Sequence, residues 1–298
     1  MAVIEVRDLR KRYGETDAVA GISFEIAEGE VYGLLGHNGA GKSTTVEILE
    51  GHRRRSSGTV SVLGTDPANA DRHFRNRIGI VLQTSGVEPE LSVREAIELY
   101  GAAYQRRRPT DELLNLVGLD AKAEARIGTL SGGQRRRLDL GLGIVGYPEL
   151  IFLDEPTTGF DPAARRRSWE MISELCRVGT TVLLTTHYLD EAEHLADRVG
   201  VLTNGRLVAE GTPRALMSSV PESTISFFVP PEVDMHALGI PNDAVVDGRS
   251  VTIATGHPTG VLAEVATAAV ALGCELDDLV VKRPSLEDIF LGLAGEDE

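Results

Sequence analysis

The 298-residue sequence predicts an α/β protein with a mostly parallel β-sheet, followed by a small α+β domain. Short apolar runs alternate with stretches of helical spacing, which indicates strands buried on both faces of a parallel sheet. One of these runs leads into a glycine-rich loop and then a helix, the order that phosphate-binding loops require. Charge is unevenly distributed, because residues 217–298 carry 14 acidic and 3 basic side chains. This composition indicates a separate domain from about residue 217.

Two groups of strands are predicted in the first part of the chain. Residues 2–9 and 22–26 alternate between apolar and polar side chains, which is typical of strands with one solvent-exposed face. They predict an antiparallel edge. The parallel sheet is predicted from four apolar runs, at residues 31–35, 78–82, 150–153 and 181–185.

A helical insert is predicted between the second and third parallel strands. Residues 91–104 and 111–117 have the three- and four-residue apolar spacing of helices, and no strand candidate lies between positions 91 and 147. We therefore expect a helical subdomain at about 84–147 inside a main domain at 1–216.

The small domain is predicted at residues 217–298, after a turn-rich stretch at Gly211, Thr212 and Pro213. Its predicted elements, in chain order, are strand 224–229, strand 251–254, helix 258–272, strand 279–281 and helix 286–293.

Composition excludes several classes of protein. A net charge of −15 and a pI near 5.0 argue against binding nucleic acid by charge alone, so no nucleic-acid partner is expected. Cys176 and Cys274 cannot build a disulfide framework. The N-terminal segment lacks a signal-peptide pattern, and no apolar run approaches the roughly 20 residues that cross a bilayer. We expect a cytoplasmic protein that would meet a membrane only through a partner.

Residues 36–44 match the phosphate-loop pattern G-x-x-x-x-G-K-[ST] between a predicted strand and a predicted helix. Glycines let the backbone turn its N–H groups toward a phosphate without Cβ collisions. Lys42 is expected to neutralise the β- and γ-phosphates of a nucleotide, and the Ser43 hydroxyl to ligate Mg²⁺. The predicted nucleotide-binding residues of the loop are Gly36, His37, Asn38, Gly39, Ala40, Gly41, Lys42, Ser43 and Thr44.

The predicted strand 150–153 ends in two adjacent carboxylates, Asp154 and Glu155. Neighbouring side chains on a strand point to opposite faces, but at the end of a strand both can converge on one site. Asp154 suits direct or indirect contact with Mg²⁺, and Glu155 suits the polarisation of an attacking water. The alternative is an acidic strand end that simply faces solvent, and the phosphate loop upstream favours the catalytic interpretation.

Four further motifs make the sequence resemble the ATP-binding subunit of an ABC transporter. Residues 130–134 spell LSGGQ, the signature of that family. Gln83 follows one predicted strand, where the family has its Q-loop glutamine. His187 follows another, where the family has its switch histidine. Phe160 and Asp161 match the D-loop, although leucine is more usual at the first of these positions.

The resemblance covers about residues 2–216 and implies ATP and Mg²⁺ as cofactors and ATP hydrolysis as the activity. Tyr13 matches the aromatic residue that stacks on adenine. Gln83 is implied to contact Mg²⁺ or the attacking water. His187 is implied to hold the γ-phosphate and to assist Glu155 as the catalytic base.

The resemblance also implies a second ATPase subunit, most simply an identical chain in a two-fold, head-to-tail dimer. The signature would cap ATP bound at the partner's Lys42, because a glycine-rich helix start presents N–H donors to phosphate. The helical insert is implied to contact an integral membrane permease, which would place the chain at the inner face of the cell membrane. The implied nucleotide-contacting residues outside the phosphate loop are Tyr13, Ser131, Gly132, Gly133, Gln134 and Asp161.

Residues 130–138, 153–162 and 284–293 look like segments of the daunorubicin-resistance group of exporters, whose ATPase subunit carries a small C-terminal domain. This implies efflux of a drug, antibiotic, lipid or polymer. Two alternatives stay open: importer subunits share every catalytic motif, and soluble ABC ATPases act on ribosomes or DNA. Translation-factor members usually hold two cassettes and DNA-repair members a long coiled coil, and this sequence has neither. The C-terminal domain is either a structural cap or a contact surface.

Overall fold

The computed structural model describes residues 2–82, 86–177, 179–219, 223–283 and 285–287. The chain divides into two compact units, Met1–Pro213 and Arg214–Glu298. The division predicted from composition lies three residues further along, after residue 216. Within the described ranges, no helix combines the length and the apolar character needed to cross a membrane.

The first unit contains both β-strands and α-helices. In chain order they are β1 (Ala2–Tyr13), β2 (Thr16–Ala27), β3 (Val31–Leu35), α1 (Lys42–Leu49), β4 (Ser57–Val62), α2 (Arg72–Arg75), β5 (Ile78–Val81), α3 (Val93–Gly101), α4 (Thr110–Leu116), α5 (Gly132–Ile144), β6 (Leu150–Asp154), α6 (Pro162–Arg177), β7 (Thr181–Thr186), α7 (Leu189–Leu195), β8 (Arg198–Thr203) and β9 (Arg206–Gly211).

A six-stranded sheet forms the centre of the first unit, in the order β5-β6-β7-β3-β8-β9. Every neighbouring pair in it is parallel except β8 and β9, which run antiparallel. β3, β6 and β7 are almost wholly buried. Burial on both faces explains why these strands are continuous apolar runs in the sequence. The predicted α/β fold with a mostly parallel sheet is confirmed.

The antiparallel edge is larger than the sequence predicts. It is a three-stranded sheet in the order β2-β1-β4. β1 extends to Tyr13, beyond the predicted end at residue 9. Its register with β2 shifts between Val6 and Leu9 and again after Leu9, and the two strands stay paired through the polar residues that follow. β4, β8 and β9 were not predicted, although Val199 and Val201 in β8 belong to a buried apolar run that signals a strand.

The helical insert lies between β5 and β6. Helices α3 and α5 both begin with capping boxes, formed by Ser92 with Glu95 and by Ser131 with Gln134. Leu138 of α5 belongs to a buried cluster that also contains side chains of β6 and β7. Residues 91–147, all of them described, form helices and turns without a strand, as the sequence predicts.

The second unit contains both strands and helices. In chain order they are α8 (Pro213–Ser219), β10 (Ser223–Phe228), β11 (Val245–Asp247), β12 (Ser250–Thr255), α9 (Pro258–Ala271) and β13 (Asp277–Lys282). The strands form an antiparallel sheet in the order β11-β12-β10-β13. Helix α9 packs on it, so that its Val265 shares a buried cluster with Ile225, Phe227 and Ile253. The short strand β11 was not predicted, and the predicted helix at 286–293 lies mostly outside the described residues.

The contact between β5 and α5 predicts one stability effect. A Cβ on Gly79 would overlap the carbonyl oxygen of Gly143 and lie 3.2 Å from Pro148. We expect Gly79→Ala to lower the free energy of unfolding by about 1–3 kcal/mol, the usual cost of overpacking. Denaturant unfolding followed by circular dichroism measures this. Gly260→Ala in α9 is the control, because no atom lies within 4 Å of the added Cβ. An equal loss in both variants would contradict the packing argument.

Candidate active site

The phosphate loop lies at the carboxyl end of β3 and leads into α1. At two positions of the loop, steric contact with neighbouring backbone requires glycine. A Cβ on Gly36 would lie 2.5 Å from the carbonyl oxygen of Leu202, and one on Gly41 would overlap that of Ala18. Gly41 also has a φ of 106°, which disfavours any residue with a Cβ. The loop backbone therefore packs too closely on β2 and β8 for larger residues.

Lys42 is the buried cation of this loop. Its Nζ donates to the carbonyl oxygen of Gly36 at 2.6 Å and to that of His37 at 3.1 Å. Burial lowers the pKa of Lys42, while the charges of Glu155 and Asp154 act to raise it. The ammonium group is thus held inside the loop and faces two carboxylates.

One cleft of about 520 Å³ collects most of the predicted catalytic residues. It joins the phosphate loop to the ends of β6 and β7, which lie at the same edge of the sheet. Its lining residues are Ala18, Asn38, Gly39, Gly41, Lys42, Ser43, Thr44, Asp154, Glu155, Thr158 and His187.

The two carboxylates at the end of β6 are held in different ways. Asp154 accepts a hydrogen bond at Oδ1 from the Thr185 hydroxyl at 2.5 Å, because β6 and β7 pair these two residues directly. Glu155 turns out of the strand with a φ of 46°, and its N–H donates to the carbonyl oxygen of Thr185 at 3.0 Å. The turn sends the two side chains in different directions into the cleft, as the sequence argument requires.

Among the described residues, the side chains of His187 and Thr158 hold the Glu155 carboxylate. Its Oε1 lies 3.0 Å from Nδ1 of His187, and its Oε2 accepts a hydrogen bond from the Thr158 hydroxyl at 3.2 Å. The His187 ring packs against Tyr188, with ring centroids 4.1 Å apart. A carboxylate oriented in this way can accept a proton from a water in the cleft.

The donors present suit a magnesium ion. The Ser43 hydroxyl and the Asp154 carboxylate line the same cleft beside the phosphate loop. Mg²⁺ prefers hard oxygen ligands and is usually held by one or two protein oxygens together with substrate phosphates and waters. The residues therefore fit the ion that the sequence predicts.

The signature residues lie apart from this cleft. Ser131, Gly132, Gly133 and Gln134 form the start of α5, and none is among the described residues that line the cleft. The Ser131 hydroxyl accepts from the N–H of Gln134 at 3.3 Å, and the Gln134 side chain accepts from the N–H of Ser131 at 2.9 Å. Ser131 and Gly132 are exposed, so the helix start is accessible to another molecule.

Three further predicted residues have different outcomes. Tyr13 is 40% exposed at the end of β1, with Lys11 Nζ 4.9 Å and Arg53 Cζ 5.4 Å from its ring centroid. Asp161 caps α6 by accepting from the N–H of Ala164 at 2.8 Å. Neither of the two lines the cleft. Gln83 lies outside the described residues.

Sequence reasoning missed the threonines that orient the carboxylates. Thr158 is the third residue after Glu155, and Thr185 stands near the end of the apolar strand β7. A hydroxyl at the end of a buried strand is a signal that could have indicated Thr185, because buried polar groups need partners. The phosphate loop, the paired carboxylates and the nearby histidine together define a nucleotide-hydrolysing P-loop protein.

Comparison with known proteins identifies the family. Residues 19–158 match the model of the ABC transporter family. The chain is 38% identical over 306 residues to the daunorubicin resistance ATP-binding protein DrrA2 of Streptomyces coeruleorubidus, covering 98% of this chain and 95% of that protein. It is 43% identical over 224 residues to the Nod factor export ATP-binding protein I of Burkholderia orbicola (strain AU 1054), covering 74% of each.

Solved structures agree with this assignment. An ATP-binding subunit of an ABC transporter matches with a TM-score of 0.65 and 29% identity, over 73% of this chain and 92% of that one. The cbiO1 protein of Clostridium perfringens, part of the ABC transporter complex cbiONQ, matches with a TM-score of 0.66 and 28% identity, over 73% and 91%. The chain therefore belongs to the ATP-binding subunits of ABC transporters, and it is an ATPase.

Proposed function

We propose that this chain is the ATP-hydrolysing subunit of an ABC exporter and drives a separate permease at the inner face of the cell membrane. The observation that carries the proposal is the meeting of the phosphate loop, Asp154, Glu155 and His187 in one cleft. Similarity over almost the whole chain to a daunorubicin resistance protein and to a Nod factor export protein supports efflux. The transported compound is then a drug, an antibiotic or a lipid.

The loop would bind the β- and γ-phosphates of ATP. Lys42 supplies the neutralising charge, since its ammonium lies inside the loop, on the carbonyl oxygens of Gly36 and His37. Its burial reduces screening by water and strengthens its attraction for a phosphate. The start of α1 adds N–H donors and the positive end of a helix dipole.

Glu155 would act as the general base. Its carboxylate, held by His187 and Thr158, faces the cleft where an attacking water meets the γ-phosphate. His187 would hold the γ-phosphate as well as orient the base. Gln83 would contact Mg²⁺ or the attacking water, a role that we propose from the Q-loop motif alone.

Ser43 and Asp154 would hold Mg²⁺, since both offer oxygen donors on the cleft. The ion, when bound, neutralises charge that develops on the β- and γ-phosphate oxygens. Thr185 keeps Asp154 in place through its 2.5 Å hydrogen bond.

A second subunit would complete the site. The exposed start of α5 presents Ser131 and Gly133 away from the cleft of its own chain, which suits the capping of a nucleotide bound to a partner. Asp161, exposed beside the cleft residues 154–158, would join the same interface. Tyr13 would stack on adenine with its exposed ring. The side chains of Lys11 and Arg53 already make cation–π contacts with this ring.

The permease is proposed to bind the groove between α2 and α3. This groove is lined by Arg72, Arg75, Asn76, Glu88, Leu99, Tyr100, Ala103 and Tyr104. Leu99, which is 57% exposed, lines this groove together with Tyr100 and Tyr104, so the groove offers adjoining apolar surface that a partner could cover. The groove lies at the insert that follows the Q-loop glutamine, so a partner here is close to the catalytic strands.

The base assignment predicts the behaviour of Glu155→Gln. This variant is expected to bind ATP but to hydrolyse it at least about 100-fold more slowly, because an amide cannot accept the proton from water. Steady-state phosphate release measures the rate, and nucleotide titration measures binding. Glu149→Gln is the matched control at the other end of β6, where the carboxylate pairs with Arg77 at 2.6 Å. Near wild-type hydrolysis by Glu155→Gln would remove this residue from the base role.

The exposed signature predicts ATP-dependent pairing. Glu155→Gln is expected to dimerise when ATP and Mg²⁺ are added, and adding Ser131→Arg is expected to abolish the dimer by blocking the capped phosphate. Multi-angle light scattering gives the mass. Ser57→Arg, at an exposed position on β4, is the control and should leave the dimer intact. Two results would contradict a shared site: a dimer of Glu155→Gln that persists when Ser131→Arg is added, or a Glu155→Gln protein that stays monomeric with ATP and Mg²⁺.

A further inference from the structure

Arg136 is a buried cation in α5, with 7% of its surface exposed. Its guanidinium donates to four backbone carbonyl oxygens at the carboxyl ends of β5 and β6. Nε donates to Pro156 at 3.0 Å, and Nη2 donates to Asp154 at 2.8 Å and to Glu155 at 3.1 Å. Nη1 donates to the carbonyl oxygen of Leu82. One side chain thus holds the three consecutive residues where β6 ends.

Burying the charged guanidinium of Arg136 costs desolvation free energy. Burial lowers the pKa of Arg136, and the opposing effect comes from the surrounding carboxylates, those of Asp139, Asp154, Glu191 and Glu155. A guanidinium carries five N–H donors in a fixed plane and stays charged in proteins. No apolar side chain could replace it without leaving buried carbonyl groups in this region less well satisfied.

The backbone that Arg136 holds has an unusual conformation. Glu155 has a φ of 46°, a left-handed value that residues with a Cβ rarely adopt and that persists only where surrounding contacts impose it. Arg136 bonds the carbonyl oxygens before, at and after this turn. The turn determines where the Glu155 carboxylate lies relative to the Lys42 loop.

The same side chain joins three parts of the ATPase. Arg136 lies in the second turn of α5, whose first residues are the signature proposed to cap the nucleotide of the partner. Leu82 follows β5 and directly precedes Gln83. A displacement of α5 would therefore reach the end of β6 and the residue before the Q-loop glutamine through one rigid group.

We propose that Arg136 is a positioning residue that sets the Glu155 carboxylate for hydrolysis and couples that setting to the signature helix. The proposal rests on the proposed function of Glu155 as the general base. Arg136 is not among the described residues that line the cleft, and it would act through the backbone turn at Glu155.

Arg137 provides a matched control in the same helix. Its Nη1 also donates to backbone carbonyl oxygens, those of Val117 and Gly118, at 3.0 and 2.8 Å. Both acceptors belong to the helical insert and not to the catalytic strand. Both Arg136→Met and Arg137→Met therefore remove guanidinium donors from the same helix. Only Arg136→Met removes the hydrogen bond to the Glu155 carbonyl oxygen.

The test compares kcat, KM and thermal unfolding of full-length wild type, Arg136→Met, Arg136→Lys and Arg137→Met. We expect Arg136→Met to lower kcat at least about 10-fold with KM within about 3-fold, since misplacing a catalytic group by about 1 Å can cost on the order of 100-fold. Arg136→Lys should recover part of kcat, because an ammonium retains the charge but cannot span all four carbonyls. Arg137→Met should keep kcat near that of wild type.

Several results would overturn the proposal: an unchanged kcat in Arg136→Met, a rise in KM alone, or an equal loss in Arg137→Met. If Arg136→Met does not fold, Arg136→Lys decides, and wild-type kcat in a folded Arg136→Lys protein overturns the proposal.

A double-mutant cycle separates this proposal from the one it rests on. If Arg136 acts through Glu155, adding Arg136→Met to Glu155→Gln should slow the residual hydrolysis by less than about 2-fold, since coupled residues are not additive. Losses that multiply would show that Arg136 acts elsewhere. If Glu155→Gln alone hydrolyses ATP at the wild-type rate, the base assignment fails and the positioning role of Arg136 fails with it. If Glu155→Gln is slow while Arg136→Met keeps the wild-type kcat, the base assignment stands and only the positioning role is overturned.

Discussion

The site depends on the parallel pairing of β3, β7 and β6. Their register sets Leu35 beside Thr186 and Asp154 beside Thr185, so that all three strands end at one level. One cleft therefore collects the groups that stand at these ends: the phosphate loop, the two carboxylates and His187. A shift of one residue in any pair would turn the side chains to the opposite face and separate them. The buried apolar runs fix the register, and the register assembles the chemistry.

The proposal that a second subunit completes the site follows from where this chain places the signature. The insert is built on α5, and its capped start carries the signature on an exposed surface away from the phosphate loop. Burial within α5 serves two purposes: Leu138 packs into the core, and Arg136 reaches the catalytic strand. Under the proposed function, α5 would transmit the presence of a partner to Glu155 through Arg136. The free energy of ATP binding would then be used in assembling two chains.

The positions of the site residues can be predicted from the sequence where the signal is local. The phosphate loop, Asp154 and Glu155 sit at the ends of strands that apolar runs reveal, and the family motifs locate His187. Prediction fails where a contact joins distant segments: Arg136 reads as one member of an arginine triplet, and its four carbonyl partners lie 18 to 54 residues away. The strands β4 and β9 were missed because half-buried or polar runs give weak signals, whereas the buried apolar run of β8 carries a strand signal that was overlooked. The role of Gln83 stays a prediction.

We propose above all that this ATPase drives a membrane permease. The most direct test is to express tagged Glu155→Gln in its native host, add ATP and Mg²⁺, and identify the proteins that co-purify by mass spectrometry. The same preparation of Lys42→Ala, which should not hold the nucleotide, is the control. We expect to recover a polytopic membrane protein with Glu155→Gln and less of it with Lys42→Ala. Recovery of ribosomes or DNA-bound factors without any membrane protein would contradict the proposal.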